Sequence, residues 1–135
     1  MSEVPLIACI DDDPSASEAI EGLLTASGLT AQTFSSAEEF LKLGRPEDTS
    51  CLITDMRLGG MSGLELQSRL LESGHAIPVI FITAFPDERI RDRALDAGAI
   101  CFLSKPITKE DLLTCIRTAL HRRSGPKHSR ISQRA

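Results

Sequence analysis

Four chemically capable groups stand at the ends of short apolar runs. Asp11-Asp12-Asp13 follows Leu6–Ile10, Asp55 follows Cys51–Thr54, Thr83 ends Pro78–Thr83, and Lys105 follows Ile100–Ser104. Crowded carboxylates repel, and they stay ionised only beside a cation that offsets their charge. Hard oxygen ligands with few protein contacts favour Mg²⁺, which keeps waters and accepts phosphate oxygens. A lysine beside the acids is a point charge able to hold a phosphoryl oxygen, and a threonine hydroxyl can hydrogen-bond another. Such parts neutralise a phosphoryl group in flight while one aspartate attacks it. Singly, each has a plainer role: acids complementing a helix dipole, Asp55 starting a turn, an ordinary strand threonine, a solvated lysine. Their coincidence at four strand ends carries the shared-site reading.

The elements that must position these groups follow from hydrophobic period and capping residues. Asp13 as N-cap and Pro14 at the first helical position open a helix with apolar residues at Ala16, Ala19, Ile20, Leu23 and Leu24, closed by Gly28. Leu29–Phe34 is a more polar strand, expected near a sheet edge. Ser36 with Glu39, and Ser62 with Glu65, are expected capping boxes for the second and third helices, which end at Gly44 and Gly74. Pro86 is expected to start a charge-rich fourth helix capped by Gly98, and Thr108 with Asp111 opens the fifth. Five strands each followed by a helix imply a parallel sheet covered on both faces. Five are few for a closed barrel, so an open doubly wound α/β sheet is expected. The carboxyl ends of parallel strands share one edge, where Asp11, Asp55, Thr83 and Lys105 can converge.

At 135 residues the chain is expected to form one domain, and no uncharged run is long enough to span a membrane. The N-terminus lacks the pattern of a secretory signal, so a cytoplasmic location is expected. The four cysteines (Cys9, Cys51, Cys101 and Cys115) form no C-x-x-C pair and read as reduced core residues, without disulfide or metal. Charge is uneven: Arg122, Arg123, Lys127, Arg130 and Arg134 lie in a tail that holds no acid, while all 19 acids precede it.

Residues 4–120 resemble the response-regulator receiver domains of two-component signalling, in a FixJ-like branch. The likeness rests on the acidic triplet, Asp55, Ile82-Thr83-Ala84 and Phe102-Leu103-Ser104-Lys105-Pro106, in order and spacing. Ser36-Ala37-Glu38-Glu39-Phe40-Leu41 and Met61-Ser62-Gly63-Leu64-Glu65-Leu66 point to the branch. The resemblance implies the flavodoxin-like strand order 2-1-3-4-5. It implies Asp55 as phosphoacceptor, Asp12 as a direct Mg²⁺ ligand, Asp11 acting near the metal, and the backbone carbonyl of Arg57 as a further ligand. Lys105 would contact the phosphoryl group, Thr83 would move toward it, and Phe102 would turn inward, switching the surface of the fourth helix, fifth strand and fifth helix. A sensor histidine kinase or phosphotransfer protein would supply the phosphoryl group, and a downstream protein would read the switch. The chain departs from the pattern at Gly59, where many members carry proline, and at Ala84-Phe85-Pro86, where Phe85 is expected to narrow the mouth of the site.

The expected organisation is a receiver over residues 1–121 and a basic tail over 122–135 without an output domain. Such a chain is expected to act by protein contact or as a phosphoryl relay, as a phosphoacceptor and not a classical enzyme. Direct nucleic-acid binding and membrane contact are not expected, and a dimer formed on phosphorylation remains open. Two alternatives stand beside this reading: the front piece of a DNA-binding transcription regulator, and a docking module that is never phosphorylated. A metal-dependent phosphatase would need a second acid two residues past the nucleophile, where this chain has Arg57.

Overall fold

The structure, a computed structural model, describes residues 4–124. Strands β1 (Leu6–Ile10), β2 (Thr30–Phe34), β3 (Cys51–Asp55), β4 (Val79–Thr83) and β5 (Cys101–Ser104) alternate with helices α1 (Pro14–Ala26), α2 (Ala37–Leu43), α3 (Gly63–Glu72), α4 (Glu88–Asp96) and α5 (Lys109–Ser124). A 3₁₀ turn, Pro46–Asp48, precedes β3. The five strands form one parallel sheet in the order β2-β1-β3-β4-β5. This is the open doubly wound architecture expected from the sequence.

The two-residue period of the strands sorts their side chains into two cores. Ile7, Cys9, Ile53, Ile80 and Ile82 face Ile20 and Leu24 of α1 and Leu112 and Ile116 of α5. Ala8, Ile10, Leu52 and Phe81 face Phe40 of α2, Leu66 and Leu70 of α3, and Ala94 of α4. Strands β3 and β4 are buried along their whole length, whereas β2 is mostly open, as an edge strand should be. That burial forces β1, β3 and β4 to release their polar residues only at their carboxyl ends.

Local chemistry sets the element ends. Asp13 accepts the Ser15 N–H at 3.0 Å with Pro14 behind it, as expected. Gly28 turns the chain out of α1 at φ +83, a left-handed conformation that side chains resist. The Ser62/Glu65 capping box is complete, with N–H donations of 2.9 and 3.1 Å. The one expected at Ser36/Glu39 is half formed: the Glu39 N–H donates to Ser36, but the Glu39 carboxylate takes the Ser35 N–H and hydroxyl instead. Helix α4 begins at Glu88, later than Pro86, because the Asp87 carboxylate caps it through the Arg89 N–H. Helix α5 extends to Ser124, past the expected boundary at 121, and residues 125–135 of the expected tail lie outside the described residues.

One expectation fails outright. Cys9 and Cys51 are buried free thiols, but Cys101 and Cys115 are joined as a disulfide. β5 and the inner face of α5 bring their Cα atoms to 6.2 Å, within the span a disulfide bridges.

Candidate functional site

The site forms where β1, β3, β4 and β5 end together. Asp11 directly follows β1 and is 2% exposed, and Asp55, the last residue of β3, is 7% exposed, so both carboxylates sit at the boundary between core and solvent. The Lys105 ammonium closes the gap between them, donating to Asp55 Oδ2 at 2.8 Å and to Asp11 Oδ2 at 3.2 Å. Partial burial alone would lower the Lys105 pKa. Its hydrogen bonds to Asp55 and Asp11, with the charges of both acids, outweigh that and hold the pKa above the ordinary lysine value. The peptide between Lys105 and Pro106 is cis.

Each carboxylate is oriented through its other oxygen. Asp11 Oδ1 accepts the Asp13 N–H at 2.9 Å, and Asp55 Oδ1 accepts the Arg57 N–H at 2.9 Å. The site thereby holds two fixed acids, one shared ammonium and no buried side-chain polar atom without a partner among the described residues. Asp12 and Asp13 are exposed, and Asp13 is committed to capping α1. The structure thus gathers Asp11, Asp55 and Lys105 in one hydrogen-bonded cluster. Asp12 stands beside them on the chain, outside that cluster.

Thr83 ends β4 and is 1% exposed. Its hydroxyl accepts the Phe85 N–H at 3.1 Å, so in this state it braces the β4–α4 connection and makes no bond to either acid. Phe102 is partly buried and lines a cavity of about 580 Å³ together with Thr83, Phe85, Arg57, Leu58 and Ile90. The cavity thus lies among the loops after β3 and β4, α4 and the Phe102 side chain.

Three contacts at this edge escape the sequence reading. The Arg57 guanidinium lies over the Phe85 ring, 4.9 Å from its centre, joining the loops after β3 and β4 across the mouth of the site. Glu38 of α2 accepts the Met61 N–H at 2.9 Å and so ties down the loop after Asp55. That hydrogen bond holds the Glu38 pKa below the usual glutamate value. Gly60 enters this contact at φ +89, and a Cβ there would meet the Glu38 carboxylate at 2.8 Å. Gly63 at the start of α3 is packed so closely that a Cβ would lie 2.9 Å from the Asp55 carbonyl oxygen and 2.9 Å from the Phe81 ring. No spacing rule relates Glu38 to Met61. The signal at Gly63 was only a glycine beside a capping serine.

A parallel 2-1-3-4-5 sheet with two acids and a lysine converging on its carboxyl edge defines a class of signalling module. Residues 7–117 match the family model of the response regulator receiver domain. The response regulator protein TmoT of Ectopseudomonas mendocina is 44% identical over 115 residues, covering 85% of this chain and 52% of TmoT. The transcriptional regulatory protein FixJ of Azorhizobium caulinodans is 37% identical over 122 residues, covering 90% of this chain and 58% of FixJ. The solved structure of the response regulator StyR superimposes with a TM-score of 0.85 at 40% identity, over 98% of this chain and 67% of that one. The chain belongs to the receiver-domain family of two-component response regulators. It spans about half the length of the curated relatives it matches.

Proposed function

We propose that this chain takes a phosphoryl group onto Asp55 from the phosphohistidine of a sensor histidine kinase or phosphotransfer protein. The observation that carries the reading is the single Lys105 ammonium shared by carboxylates from two separate strands. The Arg57 N–H holds Asp55 Oδ1, which leaves Oδ2, on the lysine side, as the nucleophile. Oδ2 attacks phosphorus, the O–P bond forms as the P–N bond breaks, and the bonding pair returns to the imidazole nitrogen. Lys105 stays with the phosphoryl oxygens and offsets their charge. The Thr83 hydroxyl still has a proton to donate; on exchanging the Phe85 N–H for a phosphoryl oxygen it vacates space that Phe102 turns to fill. The reporting surface is then α4, β5 and α5, and a downstream protein reads it. The chain assists its own phosphorylation and dephosphorylation and acts in the cytoplasm; among the described residues no helix is long and apolar enough to cross a membrane.

The donor set fits a hard divalent cation, being all oxygen: Asp11, Asp12, Asp55 and the Arg57 carbonyl would hold Mg²⁺. Two of these donors, Asp11 and Asp55, already meet at Lys105, while among the described residues no three His, Cys, Asp or Glu side chains gather as a metal cluster. When bound, Mg²⁺ supplies positive charge against the negative charge that a phosphoryl group adds to the two acids.

We assign residues 1–121 to this receiver unit and 122–135 to a basic tail whose first residues, 122–124, continue helix α5. A second reading is favoured by length: the relatives are about twice as long as the matched region, and FixJ is named a transcriptional regulatory protein. On that reading the switched surface acts on an attached DNA-binding unit.

Intact-protein mass after incubation with acetyl phosphate and Mg²⁺ tests the proposal. Wild type should gain one phosphoryl group, and both Asp55→Asn and chelation of the metal should abolish the gain. Retention of the full gain by Asp55→Asn would overturn the assignment.

A further inference from the structure

The four cysteines fall into two chemical classes. Cys9 and Cys51 are 0% exposed in the central strands, and their thiols are pushed up to about 12, Cys9 by burial and then by the Asp11 charge, Cys51 by burial. Thiols so shielded are poor nucleophiles at neutral pH. Cys101 lies on the edge strand β5 and is partly exposed, whereas Cys115 on α5 is 6% exposed. Their Cα atoms stand 6.2 Å apart with 14 residues of sequence separation, and the two are paired.

The position of this pair matters more than its existence. The segment it closes runs from the first residue of β5 through Phe102 and Lys105 into the first turns of α5. Lys105, early in that segment, makes both ion pairs of the acidic site. A bond between Cys101 and Cys115 therefore fastens α5 to the strand from which the Lys105 loop emerges. In a reducing compartment a bridge of this kind is transient or redox-sensing and not a permanent staple. That last step rests on the cytoplasmic setting proposed above; the pairing itself does not.

We propose that Cys101 and Cys115 form a reversible thiol–disulfide site, whose co-reactant is a low-molecular-weight disulfide of the glutathione type. Cys101, the more exposed, attacks first as its thiolate. A sulfur–sulfur bond forms to one half of the small disulfide, and the other half leaves as a thiolate. Cys115 then loses its proton and attacks the Cys101 sulfur, closing the protein bridge and expelling the second small thiolate. The two cysteines together lose two electrons and two protons, and the small disulfide is reduced to two thiols. Excess reduced thiol runs the same steps backwards. Closing the bridge restrains the β5–α5 connection, and opening it frees that connection.

The test uses the folded full chain, reduced, then held in oxidised glutathione, quenched with an alkylating agent and mapped by peptide mass. One internal Cys101–Cys115 link should form and should open in reduced glutathione, while Cys9 and Cys51 are alkylated only after denaturation. Cys115→Ser should leave Cys101 trapped as a mixed disulfide with glutathione, a readout that does not depend on closing the bridge. Backbone hydrogen exchange across residues 107–114 should slow on oxidation of wild type and stay unchanged in Cys101→Ser. The proposal is overturned if Cys101 and Cys115 remain thiols in oxidised glutathione, or if they pair only after denaturation. It is equally overturned if Cys115→Ser leaves Cys101 unmodified. None of these readouts requires phosphoryl chemistry, so failure of the acetyl phosphate experiment leaves this test intact.

Discussion

Replacing Lys105 with methionine removes the charge shared by Asp11 and Asp55 and keeps most of the side-chain volume. At an effective dielectric of about 20, contacts of 2.8 and 3.2 Å correspond to roughly 6 and 5 kcal/mol of attraction. Desolvation of the ammonium cancels much of this, and the Lys105 side chain, 25% exposed, leaves room for water to replace it. A net loss of about 2 kcal/mol is expected, below the 3–5 kcal/mol typical of a fully buried pair broken on one side. In metal-free buffer at neutral pH the urea midpoint should fall by roughly 1 M, for a slope of about 2 kcal/mol per molar. In an Asp55→Asn background the cost should shrink, because only Asp11 is left uncompensated. The pH dependence has a definite sign. The raised Lys105 pKa means that its contribution is whole below the ordinary value of 10.5 and is lost as pH rises through the higher folded value. Wild type should therefore lose its advantage over Lys105→Met at strongly alkaline pH. A variant as stable as wild type at pH 7 would refute the view that the ammonium holds the acids together.

Removing the ring in Phe85→Ala takes away the partner of Arg57 and opens the mouth of the site; at about 0.5–1 kcal/mol for an exposed cation–π contact, hydrolysis of phosphorylated Asp55 should quicken roughly two- to fivefold. An unchanged phosphoryl lifetime would dismiss the Arg57–Phe85 stack as a shield. Glu38→Ala should release the Met61 amide, raising its hydrogen exchange about fivefold for a bond worth about 1 kcal/mol, while a distant amide in α1 is unaffected. Gly63→Ala should cost about 1–3 kcal/mol in urea unfolding, since its Cβ would press on the Asp55 carbonyl and Phe81, whereas Gly59→Ala, with nothing near, should cost far less. Equal costs at the two glycines would contradict the packing described at the start of α3.

The parts legible in the sequence are those that a one-dimensional pattern can carry. Asp11, Asp55 and Lys105 end apolar runs, and parallel strands bring such ends to one edge, so their convergence was readable before any coordinate. The caps at Asp13 and Ser62 were readable because capping is a contact over two or three residues. Ser36 shows the limit of that rule: Glu39 had a second serine, Ser35, within reach, and spacing does not rank two neighbouring donors. Contacts between separate loops left no periodic trace. Arg57 on Phe85 and Glu38 on Met61 depend on how two connections pack after the sheet has formed. The Cys101–Cys115 bridge was missed for the same reason, since neither cysteine carries a spacing motif and only the seating of α5 on β5 joins them. The resting partner of Thr83, the Phe85 N–H, was also out of reach, because a hydroxyl both donates and accepts and the sequence does not choose between them.

The central claim is that Asp55, and no other acid at this edge of the sheet, becomes the acyl phosphate. Borohydride reduces an aspartyl phosphate to homoserine, which marks the acceptor in a peptide map. After treatment with acetyl phosphate and Mg²⁺, homoserine is expected at position 55, with Asp11, Asp12 and Asp13 unchanged. Homoserine at one of those three, or a phosphorylated chain with none at position 55, would contradict the claim.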